Sequence, residues 1–419
     1  MHKAPRGTFD ILPQEHSYWK YVEEKAASLC RLYGYQRLST PIFEDAQVFT
    51  KTVSGGTDIV DKEMYIFEDK SGQELALRAE GTAPVCRAYL EHGLFNLPQP
   101  VKLYYIGPAF RYERPQSGRY RQHHQFGFEA LGEADSALDA EVIEMARHFF
   151  GSLGLSQFTI QLNSIGCRVC RPGYLEVLKK HYSDYTDRLC PDCKVRLVKN
   201  PLRLLDCKKP ACQEMAKSAP RITDYLCREC QVHFQSVQSY LGVMHITFQL
   251  NPGLVRGLDY YTRTVFEVEP QENGGQGTLG GGGRYDNLIE ELGGKPAPAV
   301  GFATGLERII LNLKKQKLDI PELPGVGVFI AYLEGQAKIE AMKLASGLRQ
   351  EGVAVIMATG DKSLRGQMRQ ANSLDIPYAL ILGEEEVAKR NVMLRDMKTG
   401  EQETIPLAEI ASFLKQLRM

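Results

Sequence analysis

The sequence has 419 residues, and at roughly 100–200 residues per domain it is long enough for several domains, each burying its own core. Lysine plus arginine total 51, as do aspartate plus glutamate, so the formal net charge of zero excludes a histone-like basic protein and an acidic disordered tail while leaving local basic patches open. No stretch approaches the ~18 consecutive apolar residues that span a bilayer, and the N-terminus has no apolar h-region. The expectation is a cytoplasmic chain without a membrane segment. In that compartment thiols stay reduced, so the ten cysteines read as metal ligands or buried small residues and not as disulfides.

In chain order, residues 14–34 carry apolar positions at helical spacing (Tyr18, Tyr21, Val22, Ala26, Leu29, Cys30) and end at the C-cap candidate Gly34. Tyr35 to Pro41 reads as a short strand stopped by proline. Residues 63–67 and 74–78 read as a hairpin around Asp69–Gly72, and residues 82–91 as a helix. Residues 101–110 and 122–129 read as strands joined by an arginine-rich loop. Strands in succession favour an antiparallel sheet. From Ser164 to about Leu241 the texture changes to helical, basic and cysteine-rich, which reads as an insertion into a discontinuous sheet domain. Strand-like sequence returns at 246–250 and 264–269, followed by a glycine cluster and the segment 299–313. Beyond Pro321 and Pro324, strands at 326–332, 353–358 and 378–382 alternate with helices at 337–350 and 363–374, and 391–397 with a terminal helix completes the pattern. That alternation predicts a separate βαβ domain with a largely parallel sheet.

Three motifs carry chemistry. The first is the loop that opens with Phe110-Arg111-Tyr112-Glu113 and runs through Gln116, Arg119 and Arg121 to Gln125 and Glu129. Guanidinium forks match phosphate oxygens, and a run that begins and ends inside apolar strands places Arg111 and Gln125 on one wall of a cleft. The bland alternative is a solvated hairpin tip. The second is Arg256-Gly257-Leu258-Asp259-Tyr260-Tyr261, followed by Gly280–Gly283, Arg284, Tyr285 and Asp286. Consecutive glycines let backbone approach a ligand, although a glycine run alone more often marks a loop. The G-x-G-x-x-G match starting at Gly275 lacks an immediate helix and is rejected as a dinucleotide site, and no G-x-x-x-x-G-K-[ST] motif exists. The third is Gly305-Leu306-Glu307-Arg308, where a strand runs into a helix.

On these residues the sequence resembles the class II aminoacyl-tRNA synthetases and, within them, the histidyl-tRNA synthetase family of bacterial type with a cysteine-rich insertion. The helix-strand-Pro41 segment is similar to the first class II motif, a dimer-interface element. Phe110–Glu113 with its loop is similar to the second motif, and Gly305–Arg308 to the third. The arginine–tyrosine and glycine signatures are peculiar to the histidine enzymes. Leu77-Arg78-Ala79-Glu80-Gly81-Thr82 is similar to the family's substrate-binding segment, with Ala79 where proline is usual.

The resemblance implies an α+β fold: a class II antiparallel-sheet catalytic core (1–163 and 242–320), a helical cysteine-rich insertion (164–241) and a C-terminal α/β anticodon-binding domain (325–419). It implies ATP-dependent activation of L-histidine and transfer to the 3' end of tRNA(His) by a homodimer, with Mg2+ accompanying ATP. Arg111, Arg256, Arg308, Glu113 and Gln125 are the implied catalytic set. Glu80, Thr82 and Gln125 would hold the α-amino group, with Gly81 in the same substrate-binding set, and Glu129 with Tyr261 would hydrogen-bond the imidazole, beside Tyr260. Gln116, Arg119 and Arg121 are candidates for the tRNA acceptor end.

Cys167-x2-Cys170, Cys190-x2-Cys193, Cys207-x4-Cys212 and Cys227-x2-Cys230 supply eight candidate zinc ligands. Paired C-x2-C elements carry the spacing of structural Zn2+ sites, and the spacing permits one four-cysteine site with spare thiols or two sites. The alternative is a helical insertion whose cysteines are merely buried. His181 and His233 read as surface residues, and Cys30 and Cys86 as packing residues. Two competing functions are a non-catalytic, histidine-sensing regulatory subunit of ATP phosphoribosyltransferase, and a zinc-dependent nucleic-acid binder. The first typically lacks the C-terminal domain; the second leaves the cleft residues idle.

Overall fold

The computed structural model describes residues 2–50, 63–116, 118–271, 277–333, 335–360 and 362–417. It divides into a unit over Met1–Pro321 and a unit over Glu322–Met419. In the first, α1 (His16–Leu32) leads through β1 (Gln36–Arg37), β2 (Phe43–Asp45) and α2 (Gln47–Thr50) to the hairpin β3 (Ile66–Glu68) and β4 (Glu74–Leu77). Then come α3 (Thr82–Glu91), the long strands β5 (Val101–Phe110) and β6 (Gln122–Leu131), α4 (Ser136–Ser152) and β7 (Phe158–Ser164). The cysteine-rich segment contributes α5 (Arg171–Ser183), α6 (Pro191–Lys199), α7 (Pro210–Lys217) and α8 (Arg228–Val243). The chain returns through β8 (Gln249–Leu250), β9 (Thr262–Pro270), β10 (Gly280–Arg284), α9 (Leu288–Glu291), β11 (Ala299–Gly305) and α10 (Leu306–Lys315). The rejected dinucleotide pattern begins at Gly275, outside the described residues.

Eight strands form one sheet in the order β1-β5-β6-β11-β10-β9-β7-β8, antiparallel except at its edge pairs β1–β5 and β7–β8. The glycine run is therefore a central strand and not a loop. Side chains alternate across a strand, so the two faces can be read from parity. Phe126 and Phe128 on β6, Phe302 on β11 and Phe266 on β9 face one side, packed under α1, α4, α8 and α10. Gln125, Gly127, Glu129, Gly281, Ala303 and Glu267 fall on the other.

One charge enters the helix-covered side. Arg284 at the end of β10 and Asp139 on α4 are each 0% exposed, joined through both carboxylate oxygens. Arg284 also donates to the Glu133 and Asp135 carbonyls, which lead into α4. The Asp135 carboxylate caps the same helix by accepting from Ala137 N. His233 on α8 completes the cluster, 3.1 Å from Asp139, so it is buried and not the surface residue expected. Burial opposes the Asp139 charge, and Arg284 with His233 more than offsets it, holding that carboxyl down at about 2.

The second unit orders β13 (Val355–Met357), β12 (Val328–Tyr332), β14 (Tyr378–Leu382), β15 (Asn391–Asp396) and β16 (Gln402–Pro406) in one sheet. Around it lie α11 (Gln336–Gln350), α12 (Leu364–Ser373), α13 (Glu384–Lys389) and α14 (Ile410–Gln416). The expectation of a largely parallel sheet is corrected here: β13, β12 and β14 are parallel, whereas β15 and β16 are antiparallel. A parallel return needs a crossover of about a dozen residues, and the short link through α13 is too brief for one.

Arg284→Met should leave Asp139 buried and half-paired, costing about 3–5 kcal/mol of stability in urea unfolding. A shift below about 1 kcal/mol would show that the pair does not anchor α4 to the sheet.

Candidate active site

The open face of the sheet has a floor of residues without long side chains. Register aligns Glu267 with Gly281, Gly281 with Ala303, Ala303 with Gly127 and Gly127 with Tyr105. A Cβ on Gly281 would meet the Arg256 guanidinium at 2.5 Å, so the glycine is what lets that arginine lie flat on the strand. Above this floor is a cavity of about 380 Å3, within the range of small-molecule sites.

Three arginines reach the cavity from separate elements, each held by a different partner. Arg111, just beyond β5, donates from Nε to the Ala79 carbonyl at 2.9 Å. Arg256 pairs with Glu267, and its ring neighbour is Tyr261, 5.8 Å from guanidinium carbon to ring centroid. Arg308, at the start of α10, donates to the Thr278 carbonyl, while the Thr278 hydroxyl donates to Glu267 at 2.6 Å. Burial, and then the neighbouring Arg119 and Arg111, lower the Arg308 pKa below its ordinary value against the opposing pull of Glu113 and Glu267, and the guanidinium stays charged. Glu307 also lines the cavity and accepts from the His124 backbone at 2.8 and 3.0 Å, tying α10 to β6. Gln125 Oε1 and Arg256 Nε are buried with no hydrogen-bond partner among the described residues. Buried polar groups are normally satisfied, so both mark places for ligand atoms.

The opposite end of the cavity is made by α3 and the Tyr260–Tyr261 pair. Glu80 caps α3 by accepting from Ala83 N at 2.9 Å with one oxygen, and accepts from the Tyr260 hydroxyl at 2.9 Å with the other. Gly81 packs against Tyr105, whose ring would meet an added Cβ at 2.1 Å. Thr82 lines the cavity and donates to Glu129 at 2.7 Å. Glu129 is 1% exposed and also accepts from the Tyr285 hydroxyl; Gly301 leaves the room its carboxyl fills. Burial pushes its pKa up to about 8, against the Tyr285 and Thr82 hydrogen bonds.

The loop residues separate. Glu113 and Arg119 line the cavity and face one another at 3.6 Å. Gln116 pairs with Arg119 through the backbone, and Arg121 stacks on Tyr112 with 3.7 Å to the ring centroid, neither lining the cavity. Among the lining residues to which sequence reasoning gave no place in the cleft are His123, Arg203, Asp206, Glu267 and Thr278. His123 follows Gln122 in an alternating strand, and its imidazole is driven down to about 3 by burial and then by Arg111, leaving a neutral ring between cations.

Away from the cavity, the eight cysteines sort into two tetrads. Cys167, Cys170, Cys227 and Cys230 form one, and Cys190, Cys193, Cys207 and Cys212 the other, with all sulfurs of a tetrad within 4.8 Å. Sulfur pairs stand 3.7 Å (Cys167–Cys170), 3.8 Å (Cys167–Cys227, Cys170–Cys230) and 3.9 Å (Cys190–Cys207) apart. These separations are too long for disulfides. A tetrahedron with Zn–S bonds of about 2.3 Å has edges of about 3.8 Å, so the donor set and spacing fit a tetrathiolate ion site. Burial opposes ionisation of Cys167, but hydrogen bonds from neighbouring groups outweigh it and bring that thiol to about 7. His181 and His233 belong to neither tetrad; His181 meets the Met215 carbonyl at 3.2 Å. Cys30 and Cys86 are buried in packing positions.

The family model described as histidyl-tRNA synthetase matches residues 7–168 and 206–309, and that of an anticodon binding domain matches residues 327–417. The chain belongs to the histidyl-tRNA synthetase family. A histidine–tRNA ligase of Dehalococcoides mccartyi is 56% identical over 416 residues, covering 99% of this chain and 100% of that one. One from Caldanaerobacter subterraneus subsp. tengcongensis is 48% identical, covering 99% of each. The crystal structure of apo S. aureus histidyl-tRNA synthetase superposes with a TM-score of 0.82 at 37% identity, covering 99% of each chain. The α+β class II architecture expected of the family is the architecture observed. Among the described residues no helix is long and apolar enough to cross a membrane.

Glu129, which like Gly81 lies behind the cavity lining and not in it, gives the protein a pH signature. The native carboxyl keeps its proton up to about pH 8, whereas an ordinary carboxyl near 4.5 has already lost it. Between these values the native state binds more protons than the unfolded state, so stability falls as pH rises. Glu129→Gln lacks this proton. Relative to that variant, the parent's thermal midpoint should therefore drop between pH 5.5 and 8.5, and parallel pH profiles would refute the buried neutral acid.

Proposed function

We infer that this chain activates L-histidine with ATP to histidyl-adenylate and transfers the histidyl group to the 3' end of tRNA(His), using the cavity between β6, β9, β10, β11 and α3. The observation that carries this reading is the convergence of Arg111, Arg256 and Arg308 on a cavity whose other end is closed by Glu80, Thr82 and Tyr260. A polyanion is required at one end and an amino acid's cation at the other.

In the first step a histidine carboxylate oxygen attacks the α-phosphorus. A new O–P bond forms, the bond from phosphorus to the bridging oxygen breaks, and pyrophosphate leaves with the electron pair. Arg111 and Arg256 hold the α-phosphate from two sides and neutralise the charge that develops there. Arg308 clamps the outer phosphates, which Mg2+ bridges as part of the ATP substrate. Glu113 seats the nucleotide. Little covalent chemistry falls to the protein: alignment and fixed positive charge lower the barrier. In the second step a hydroxyl oxygen of the terminal adenosine attacks the histidyl carbonyl carbon, AMP leaves with the electron pair, and the hydroxyl proton passes to a phosphate oxygen.

Glu80, Thr82 and Gln125 hold the α-amino group, with Gly81 in the same substrate-binding set. Glu129 and Tyr261 read the imidazole, with Tyr260 along the pocket wall. A site whose buried polar groups need specific partners rejects analogues that leave them unpaired. Gln116, Arg119 and Arg121 meet the acceptor end of the tRNA. Residues 1–163 with 242–320 form the catalytic domain, 164–241 an insertion and 325–419 the anticodon reader. The chain works as a homodimer in the cytoplasm. Each cysteine tetrad holds a structural zinc. A histidine-sensing regulatory subunit would leave the C-terminal anticodon-binding domain without a use.

Labelled pyrophosphate should exchange into ATP with histidine and with none of the other nineteen amino acids. Exchange absent while histidine still binds would overturn the enzymatic reading. Arg256→Ala should lower the exchange rate on the order of 100- to 1000-fold with the fold intact, and an unchanged rate would remove its assigned role. Glu129→Gln should raise the KM for histidine well beyond that for ATP; equal increases would remove it from the imidazole subsite.

A further inference from the structure

The stretch from Val255 to Tyr261, which carries Arg256 and both tyrosines, lies in no helix or strand. Its fixed position therefore needs an external source, because an irregular segment has no ladder of its own to hold it. Besides the Arg256–Glu267 pair and the Tyr260–Glu80 hydrogen bond, three side-chain tethers reach it from the segment between β7 and β8. Arg203 donates to the Arg256 carbonyl at 3.2 Å. Asn200 donates from Nδ2 to Asp259 at 2.5 Å. Arg171 donates to the Tyr261 carbonyl at 2.5 Å and to the Gly166 carbonyl at 3.2 Å.

Each tether is rooted beside a cysteine tetrad. Arg171 directly follows Cys170. Asn200 and Arg203 sit on the turn between α6, which contains Cys193, and Cys207, so two sulfurs of one tetrad close that turn at its base. Arg203 is further braced by Asp206 at 3.6 Å, which in turn meets Lys208 at 2.8 Å. Gly257 admits the Arg203 guanidinium, which lies 3.2 Å from where a Cβ would stand.

We propose that the Cys190–Cys193–Cys207–Cys212 tetrathiolate, loaded with zinc, braces the Asn200–Asp206 turn so that Asn200 and Arg203 act as positioning residues for the Arg256–Tyr261 stretch. Metal loading of the cysteine-rich segment thereby sets the rate of histidine activation without any zinc contact to substrate. This rests on the zinc reading above. Displacing a catalytic group by about 1 Å can cost on the order of 100-fold in rate, so a brace at this distance has kinetic weight.

The test separates the brace from the metal. Zinc per chain is measured by plasma mass spectrometry on the full-length protein, together with the thiolate charge-transfer absorption of a cobalt-substituted sample. Two ions per chain are expected, one for each tetrad. A chain free of metal, prepared without chelator and under reducing conditions, would overturn the zinc part alone.

Asn200→Ala and Arg203→Met are then assayed by histidine-dependent pyrophosphate exchange. Both should retain two zinc ions and lose on the order of 10- to 100-fold in kcat, with the KM for ATP nearly unchanged. Asn200→Asp should be worse than Asn200→Ala, because it sets like charge against Asp259, and Arg203→Lys should recover part of the Arg203→Met loss. Unchanged kcat in both variants, or a raised KM for ATP with kcat intact, would overturn the positioning role. Cys207→Ser should hold one zinc fewer and show a loss that does not add to that of Asn200→Ala. Independent, multiplying losses would overturn the link from metal to turn. Should Cys207→Ser fail to fold, the Asn200 and Arg203 series still decides the positioning role.

Discussion

Arg111, Arg256 and Arg308 share one cavity that Arg119 and Arg203 also line, and the mutual repulsion of these guanidinium groups is the constraint that organises the rest of the site. At an effective dielectric of about 20, like charges a few ångströms apart repel by a few kcal/mol, so each must be fixed from outside the cavity. Arg111 is held by a carbonyl, Arg308 by a carbonyl and Arg256 by Glu267. Glu267 is the pivot, because its second oxygen takes the Thr278 hydroxyl whose own residue supplies the carbonyl to Arg308. Two of the three cations thus hang on one carboxylate. On the reading proposed above, the negative charge these cations lack is what a triphosphate would bring.

The sheet makes that arrangement feasible by its two-residue period. On one face, aromatic rings at 126, 128, 266 and 302 pack beneath helices, with Phe266 stacked on Phe302 at 5.9 Å. On the other, glycine or alanine at 127, 281 and 303 leaves a shallow floor on which Arg256 can lie. A one-residue slip in β10 would exchange the two faces, placing a guanidinium in the cavity floor and orphaning Asp139. The buried Arg284–Asp139 pair is therefore tied to the register that builds the site.

Much of this was legible in the sequence. Periodicity marked α1, α3 and the long strands, and the arginine- and glycine-rich motifs marked the cleft, because each carries a local pattern. What escaped was set by pairing between distant segments. Glu267 and Thr278 matter only because β9 lies beside β10. His233 read as a surface residue because its partner Asp139 lies 94 positions away. Spacing alone left open one or two cysteine sites, since the first tetrad joins pairs 60 residues apart. The antiparallel end of the second sheet escaped for a different reason: β15 shows the same alternation whichever way it runs, and only the shortness of the preceding link decides its direction.

The cysteine-rich segment poses its own physical problem. Its helices α6 and α7 have nine and eight residues, below the length at which a helix is stable alone, and Val195 and Val198 on α6 are exposed. Yet this segment carries three of the side-chain tethers on the Val255–Tyr261 stretch, the Arg256–Glu267 pair and the Tyr260–Glu80 hydrogen bond coming from elsewhere. The buried side chains of α6 and α7 join those of Tyr260 and Tyr261 in one core cluster. Four sulfurs converge at the base of each tether, and a metal ion held there would add local rigidity where the Val255–Tyr261 stretch has no hydrogen-bond ladder of its own.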